Sequence, residues 1–269
     1  MHQTSISDFS GYLFDLDGTI YIGSQVIQGA DAAIRTLQNE GKTVMFATNT
    51  TLYTREQVRD KLVGFGIDCT PDEVITALSV AGTYFRDHAP QACIFPLGDE
   101  AMLLELSRSG LQVTEQSERA THVFVGLDRS FDFNKMTAAV NAVRNGAILV
   151  AANPDPFCPM EDGVIPDTWS LIRAIETASN RNTDVTLGKP SVHYASHALQ
   201  KLGARSKQCL MVGDKLETDI ALGQRIGMAT ALVLTGVDTE EDIALTGIRP
   251  DFVLSSVNAI SEHYRLKTM

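Results

Sequence analysis

Tyr12-Leu13-Phe14-Asp15-Leu16-Asp17-Gly18-Thr19 combines three apolar residues, two carboxylates two positions apart, and a Gly-Thr turn. The apolar run predicts a short buried strand, and the polar residues after it predict a loop at that strand's carboxyl end. Working outward, Ala30, Ala33, Ile34 and Leu37 recur at the i, i+3, i+4, i+7 spacing of an amphipathic helix that Gly41 stops. Val44-Met45-Phe46-Ala47 predicts the next strand and runs into Thr48-Asn49-Thr50-Thr51. Thr54 and Gln57 have capping-box spacing for a helix carrying Val58, Leu62 and Phe65. Thr70-Pro71 with Glu73 predicts a further helix start. This βαβα order implies a parallel sheet with helical crossovers.

The same rhythm returns near the C-terminus. Strands are expected at Val185-Thr186-Leu187, Cys209-Leu210-Met211-Val212, Ala231-Leu232-Val233-Leu234 and Phe252-Val253-Leu254, with helices from Ser191 through Leu202 and around Ile220. Between them lie further strands at 92–95, 122–125 and 148–150, and helices near Met102–Leu106, Lys135–Val143 and Trp169–Thr177. That is enough for a separate small α/β unit. The expected fold is α/β: a doubly wound parallel-sheet core formed by residues 1–82 and 182–269, with a smaller α/β domain, 83–181, inserted into it.

With 269 residues, 44% hydrophobic and 20% charged, the chain can bury a substantial core. Its formal net charge of -11 argues against a nucleic-acid groove or an anionic membrane surface, both of which reward clustered Lys and Arg. An anionic substrate must therefore meet a local positive site. Cys69, Cys93, Cys158 and Cys209 are far apart, without metal-ligand spacing, and read as reduced thiols. The first residues lack the order of a signal peptide, and no apolar run is long enough to span a bilayer, so a cytoplasmic setting is expected.

In doubly wound sheets the reactive groups collect beyond the carboxyl ends of the strands. Polar clusters stand there at Asp15 and Asp17, at Thr48 and Asn49, at Gly188-Lys189-Pro190, and at Gly213-Asp214 through Asp219. Converging carboxylates repel one another, and a hard cation with oxygen ligands holds them together; Mg²⁺ fits. Each residue also has a plainer reading. A lone Asp15 is a helix cap or loop acid, whereas Asp17 and the Gly18 turn beside it favour an acid-base pair whose second member also offers a backbone carbonyl to a metal. Thr48 and Asn49 either turn the chain or hydrogen-bond a phosphoryl oxygen. Lys189 is either a solvated lysine or the positive charge that a phosphoryl group requires. Asp214 and Asp219 either cap helices, or Asp214 binds metal while Asp219 orients Lys189 or a metal-bound water.

Taken together, these clusters resemble the phosphatases of the haloacid dehalogenase superfamily in kind, order and placement, with Asp15-Leu16-Asp17-Gly18-Thr19 the most specific match. Thr48-Asn49, Val125-Gly126-Leu127-Asp128, Asn153-Pro154-Asp155, Gly188-Lys189-Pro190-Ser191 and Gly213-Asp214-Lys215-Leu216-Glu217-Thr218-Asp219-Ile220 resemble its NagD-like branch. That branch includes nitrophenyl phosphate, phosphoglycolate and pyridoxal phosphate phosphatases with a class IIA cap. The resemblance implies a Rossmann-like core and a Mg²⁺-dependent hydrolase of small phosphorylated metabolites, for which a homo-oligomer is compatible. It implies that Asp15 attacks phosphorus to form an aspartyl-phosphate, and that Asp17 protonates the leaving alcohol and then activates water. Asp15, the Asp17 carbonyl and Asp214 would hold the metal; Thr48, the Asn49 backbone and Lys189 would hold the phosphoryl oxygens. In the cap, Phe157, Cys158, Glu161 and Trp169 are candidate substrate contacts, with core or rim packing as the plainer reading. One stretch departs from the branch: many members are Gly-rich where this chain has Pro166-Asp167-Thr168-Trp169-Ser170.

Two other readings use the same residues. A phosphotransferase or mutase on this fold would pass the phosphoryl group to an acceptor other than water. A phospho-accepting signalling module would also need an Asp, a Thr and a Lys, but it needs neither Asp17 nor an inserted domain.

Overall fold

Tyr12, Leu13 and Phe14 are buried without residue, as a continuous apolar run requires when both faces of a parallel strand are covered. The structure, a computed structural model, describes residues 5–160 and 163–267. The chain divides into two compact units: Met1–Thr48, Val58–Ile75 and Ala198–Met269 form the first, and Asn49–Gln57 with Thr76–His197 the second.

The first unit carries a six-stranded sheet in the order Phe252–Leu254, Ala229–Val233, Cys209–Gly213, Gly11–Phe14, Thr43–Thr48, Val74–Thr76. Gly11–Phe14 pairs in parallel with Thr43–Thr48 on one side and with Cys209–Gly213 on the other. The chain therefore leaves its first strand in one direction across the sheet and completes it in the other. The switch of direction falls between the strands ending at Phe14 and Gly213, the place where a doubly wound sheet opens a crevice. The helix Ala30–Asn39 buries Ala30, Ala33, Ile34 and Leu37, the stripe that the spacing predicts.

The start signal at Thr70 behaves differently from the expectation. Thr70 and Glu73 do cap reciprocally, the Thr70 N–H donating to Glu73 Oε2 at 2.7 Å. The turn stops at Glu73, because Val74, Ile75 and Thr76 are β-branched, fully buried, and form the edge strand of the sheet. The helix begins one cap later, at Ala77–His88. There the Thr76 and Ser79 hydroxyls each accept the other's backbone N–H at 3.1 Å. This helix runs through position 83.

The second unit has a five-stranded sheet, ordered Val185–Thr186, Ile148–Ala151, His122–Val125, Cys93–Leu97, Gln112–Val113, with every pairing parallel. Val185–Thr186, expected to resume the rhythm of the core, instead pairs with Val150 and Ala151. Asp184 secures that edge by accepting the Leu149 N–H at 2.8 Å. Helices Phe133–Arg144 and Thr168–Ser179 pack their buried Ala139, Val143, Ile172 and Ile175 into one apolar cluster with the sheet. A two-stranded antiparallel hairpin, Phe157–Met160 with Gly163–Pro166, leads into the second of these helices.

Candidate active site

The parallel register sets Phe14 beside Val212, and the Asp15 N–H continues the ladder by donating to the Val212 carbonyl at 2.8 Å. Asp15 and Asp214 thus leave the ends of adjacent strands at the switch of direction. A turn of π-helix, Leu216–Ile220, brings Asp219 back to the same end. One carboxylate oxygen from each of Asp15, Asp214 and Asp219 lies within 4.8 Å of the others, and all three residues are buried. Asp219, expected as an outer partner, has its carboxylate in this cluster.

The Asp214 carboxylate is the most constrained of the three. Its Oδ2 accepts the Val237 N–H at 2.8 Å, whereas its buried Oδ1 has no hydrogen-bond partner. Burial, with the negative charges of Asp15 and Asp219, holds its carboxyl well above the usual carboxylate range. A buried anionic oxygen without a donor is costly in a protein alone but is what a cation ligand requires. Three oxygen donors and no imidazole or thiolate suit a hard divalent ion that keeps several waters. The residues present fit such an ion.

Backbone walls this cluster closely. Gly18, at φ +84°, has no room for a Cβ, which would meet the Asp214 carboxylate and Gly236. A Cβ on Gly213 would strike the Asp219 side chain, and one on Gly236 would strike Asp214. The loop containing Gly236 is held from both ends: Thr235 Oγ1 donates to the Gly18 carbonyl at 2.6 Å, and Asp238 accepts the Leu216 N–H at 2.6 Å. No motif in the sequence marks this loop, although it follows the strand Ala229–Val233 and so stands where reactive groups collect. Gly18→Ala is expected to combine backbone strain of about 1–2 kcal/mol with displacement of Asp214. Thermal melts with and without a divalent cation should show a lower midpoint and a weakened cation response. An unchanged response would mean that Asp214 does not need its present position.

Asp17 differs from Asp15 in being exposed; its carboxylate accepts from the Tyr21 hydroxyl at 3.4 Å. The Tyr21 ring is buried and carries the Lys61 ammonium 3.6 Å from its centroid. Thr48 ends its strand, 3% exposed.

Asn49 and Lys189 belong to the second unit, where they meet. The Lys189 N–H donates to Asn49 Oδ1 at 2.7 Å, and Lys189 is 2% exposed. Among the cap candidates, Phe157 is 41% exposed and Cys158 is half-buried and outside any disulfide. Trp169 packs against the unit's apolar cluster with the Arg173 guanidinium over its ring. Glu161 lies outside the described residues.

A doubly wound sheet with a buried acidic cluster beyond its strand ends, suited to a hard cation, defines an α/β enzyme. A haloacid dehalogenase-like hydrolase family model matches residues 12–112, and a second, HAD-hydrolase-like, matches 186–260. The chain is 33% identical to the sugar-phosphatase AraL of Bacillus subtilis over 97% of its own length and 95% of that protein's. It is 34% identical to an acid sugar phosphatase of Staphylococcus aureus, covering 96% of this chain and 99% of the other. Among solved structures, a p-nitrophenyl phosphatase from Archaeoglobus fulgidus superposes with a TM-score of 0.88 at 33% identity, covering 95% and 99% of the two chains. NagD from E. coli K-12 gives a TM-score of 0.84 at 28% identity, covering 93% and 97%.

The chain belongs to the haloacid dehalogenase-like hydrolases, on their NagD-like phosphatase branch. It is a hydrolase of phosphoric monoesters. Among the described residues, no helix is long and apolar enough to cross a membrane.

Proposed function

We propose that this chain is a Mg²⁺-dependent phosphatase of small phosphate monoesters, sugar phosphates foremost, that works through an aspartyl-phosphate on Asp15. The observation that carries this reading is the buried cluster of Asp15, Asp214 and Asp219, with a partnerless carboxylate oxygen on Asp214. The names of the sugar phosphatase relatives support the substrate class. Asp15, the Asp17 carbonyl and Asp214 would hold the ion, with Asp219 beside them. When bound, Mg²⁺ offsets the carboxylate repulsion and draws charge from the phosphoryl oxygens.

The chain's own residues do the rest. The Asp15 carboxylate attacks phosphorus, the bond to the ester oxygen breaks, and Asp17 gives that oxygen its proton. Asp17, now ionised, takes a proton from water as the water attacks the phosphorus of the aspartyl-phosphate, which returns Asp15 and releases phosphate. The Thr48 hydroxyl, the Asn49 N–H and the Lys189 ammonium hold the phosphoryl oxygens and supply the local positive site that a chain of net charge -11 needs. The insertion, residues 83–181, acts as a cap that excludes water and selects the leaving group, with Phe157 and Cys158 its foremost candidates for touching substrate. Reduced thiols accord with a cytoplasmic setting.

The test is phosphate release over a panel of phosphate monoesters, with Mg²⁺ and after chelation. Stoichiometric phosphate from sugar phosphates, lost on chelation and restored by Mg²⁺, is expected. Full turnover after chelation would overturn the metal assignment. A new phosphorylated product in place of phosphate would make the enzyme a phosphotransferase.

A further inference from the structure

The Asn49 side chain has a task distinct from that of its backbone. Its Oδ1 accepts the Lys189 N–H at 2.7 Å while its Nδ2 donates to the Lys189 carbonyl at 3.3 Å and to Asp155 Oδ2 at 2.8 Å. Each end of the amide meets groups of the opposite kind, so only one orientation of the side chain satisfies all three bonds. The bond to Asp155 has an anionic acceptor and is the strongest type available to an amide.

Asn153 closes the arrangement. Its Nδ2 donates to the Asn49 carbonyl at 2.8 Å and its Oδ1 accepts the Asp155 N–H at 3.0 Å. Asn153, Asp155 and Lys189 are 1%, 7% and 2% exposed, so water competes little for these bonds. Gly188 makes room for them: a Cβ there would lie 2.7 Å from Asn153 Cβ and 2.8 Å from Asn49 Oδ1. Asn49, itself held by Asn153 and Asp155 more than a hundred positions away, in this way grips both the N–H and the carbonyl of a single lysine. A loop lysine needs no such holding to stay buried. A lysine whose ammonium must meet one place on a phosphoryl group does, because its long side chain loses accuracy unless its backbone is fixed.

We propose that the Asn49 side chain and Asp155 are positioning residues that fix Lys189 for the phosphoryl group, so that Asp155, a residue of the inserted stretch, helps set the aim of the catalytic lysine through Asn49. This rests on Lys189 contacting the phosphoryl group. Asn49→Ala and Asp155→Ala should each lower kcat/KM by roughly 10- to 100-fold while the Asn49 backbone stays in place. In a Lys189→Met background the same changes should cost less than about threefold, because there is no ammonium left to aim. Asp155→Asn, which keeps an acceptor oxygen, should recover most of the loss; if an alanine variant fails to fold, Asn49→Ser, which removes the amide but keeps a polar side chain, takes its place and should show the same loss. Losses that multiply with that of Lys189→Met, or no loss with Lys189 present, would overturn the proposal. Wild-type kcat/KM in Lys189→Met alone would instead overturn the role of Lys189 itself.

Discussion

Asp15→Asn is expected to fold as the wild type does and to release phosphate roughly 10⁴-fold more slowly or worse, the scale on which removal of a covalent nucleophile acts. The amide has nearly the carboxylate's shape, and the backbone bond from Asp15 to the Val212 carbonyl is untouched. What disappears is the negative charge that makes the oxygen a nucleophile toward phosphorus and that also helps hold a cation; the neutral amide oxygen that remains attacks poorly. Circular dichroism and the thermal midpoint check the fold, and phosphate release at saturating divalent cation checks the chemistry. Turnover within tenfold of wild type would remove Asp15 from the nucleophile's role.

Asp214→Asn should raise the stability of the metal-free protein while destroying activity. In the absence of a cation, Asp214 is a buried carboxylate facing two others, with one oxygen unpaired. An amide removes that repulsion, and a gain of about 0.5–2 kcal/mol is typical when a strained functional group is relieved. The cation response should go the other way. At about one hundred times its dissociation constant, a cation stabilises a wild-type site by about 2.7 kcal/mol, and the variant should show almost none of this. The pH dependence has a definite sign. The folded Asp214 carboxyl titrates above its unfolded value, so the stability it contributes is fully present below the unfolded pKa and is lost as pH rises through the folded one. Chelated wild type should therefore lose stability relative to the Asn variant as pH climbs from the ordinary carboxylate range. Parallel pH profiles for the two proteins would contradict this account.

Much of the site is legible because a parallel strand buried on both faces must be apolar and must end in a loop. Tyr12-Leu13-Phe14 and Cys209-Leu210-Met211-Val212 announce themselves in this way, and the acids directly after them inherit their position. Contacts that depend on long-range closure are less visible. Nothing near Asp219 in the chain says that a π-helical turn returns its carboxylate to Asp15. Gly236 likewise looks like an ordinary turn residue until the Asp214 side chain is found to fill the space a Cβ would take. At Thr70 a local cap signal points to a helix, but three β-branched residues after it decide for a strand. Asn153-Pro154-Asp155 was legible as a motif, but its hydrogen bonds join it to residues more than a hundred positions away.

The backbone wall around the three carboxylates also has a hereditary meaning. Any missense change in a glycine codon adds at least a Cβ, except that proline adds a ring as well. At Gly18, Gly213 and Gly236 that first carbon is already too much. Alleles at these positions will therefore fail alike, whether the new residue is alanine or arginine. Those at Gly64, where a Cβ meets nothing within 4 Å and the backbone is not left-handed, will sort by what each new side chain does.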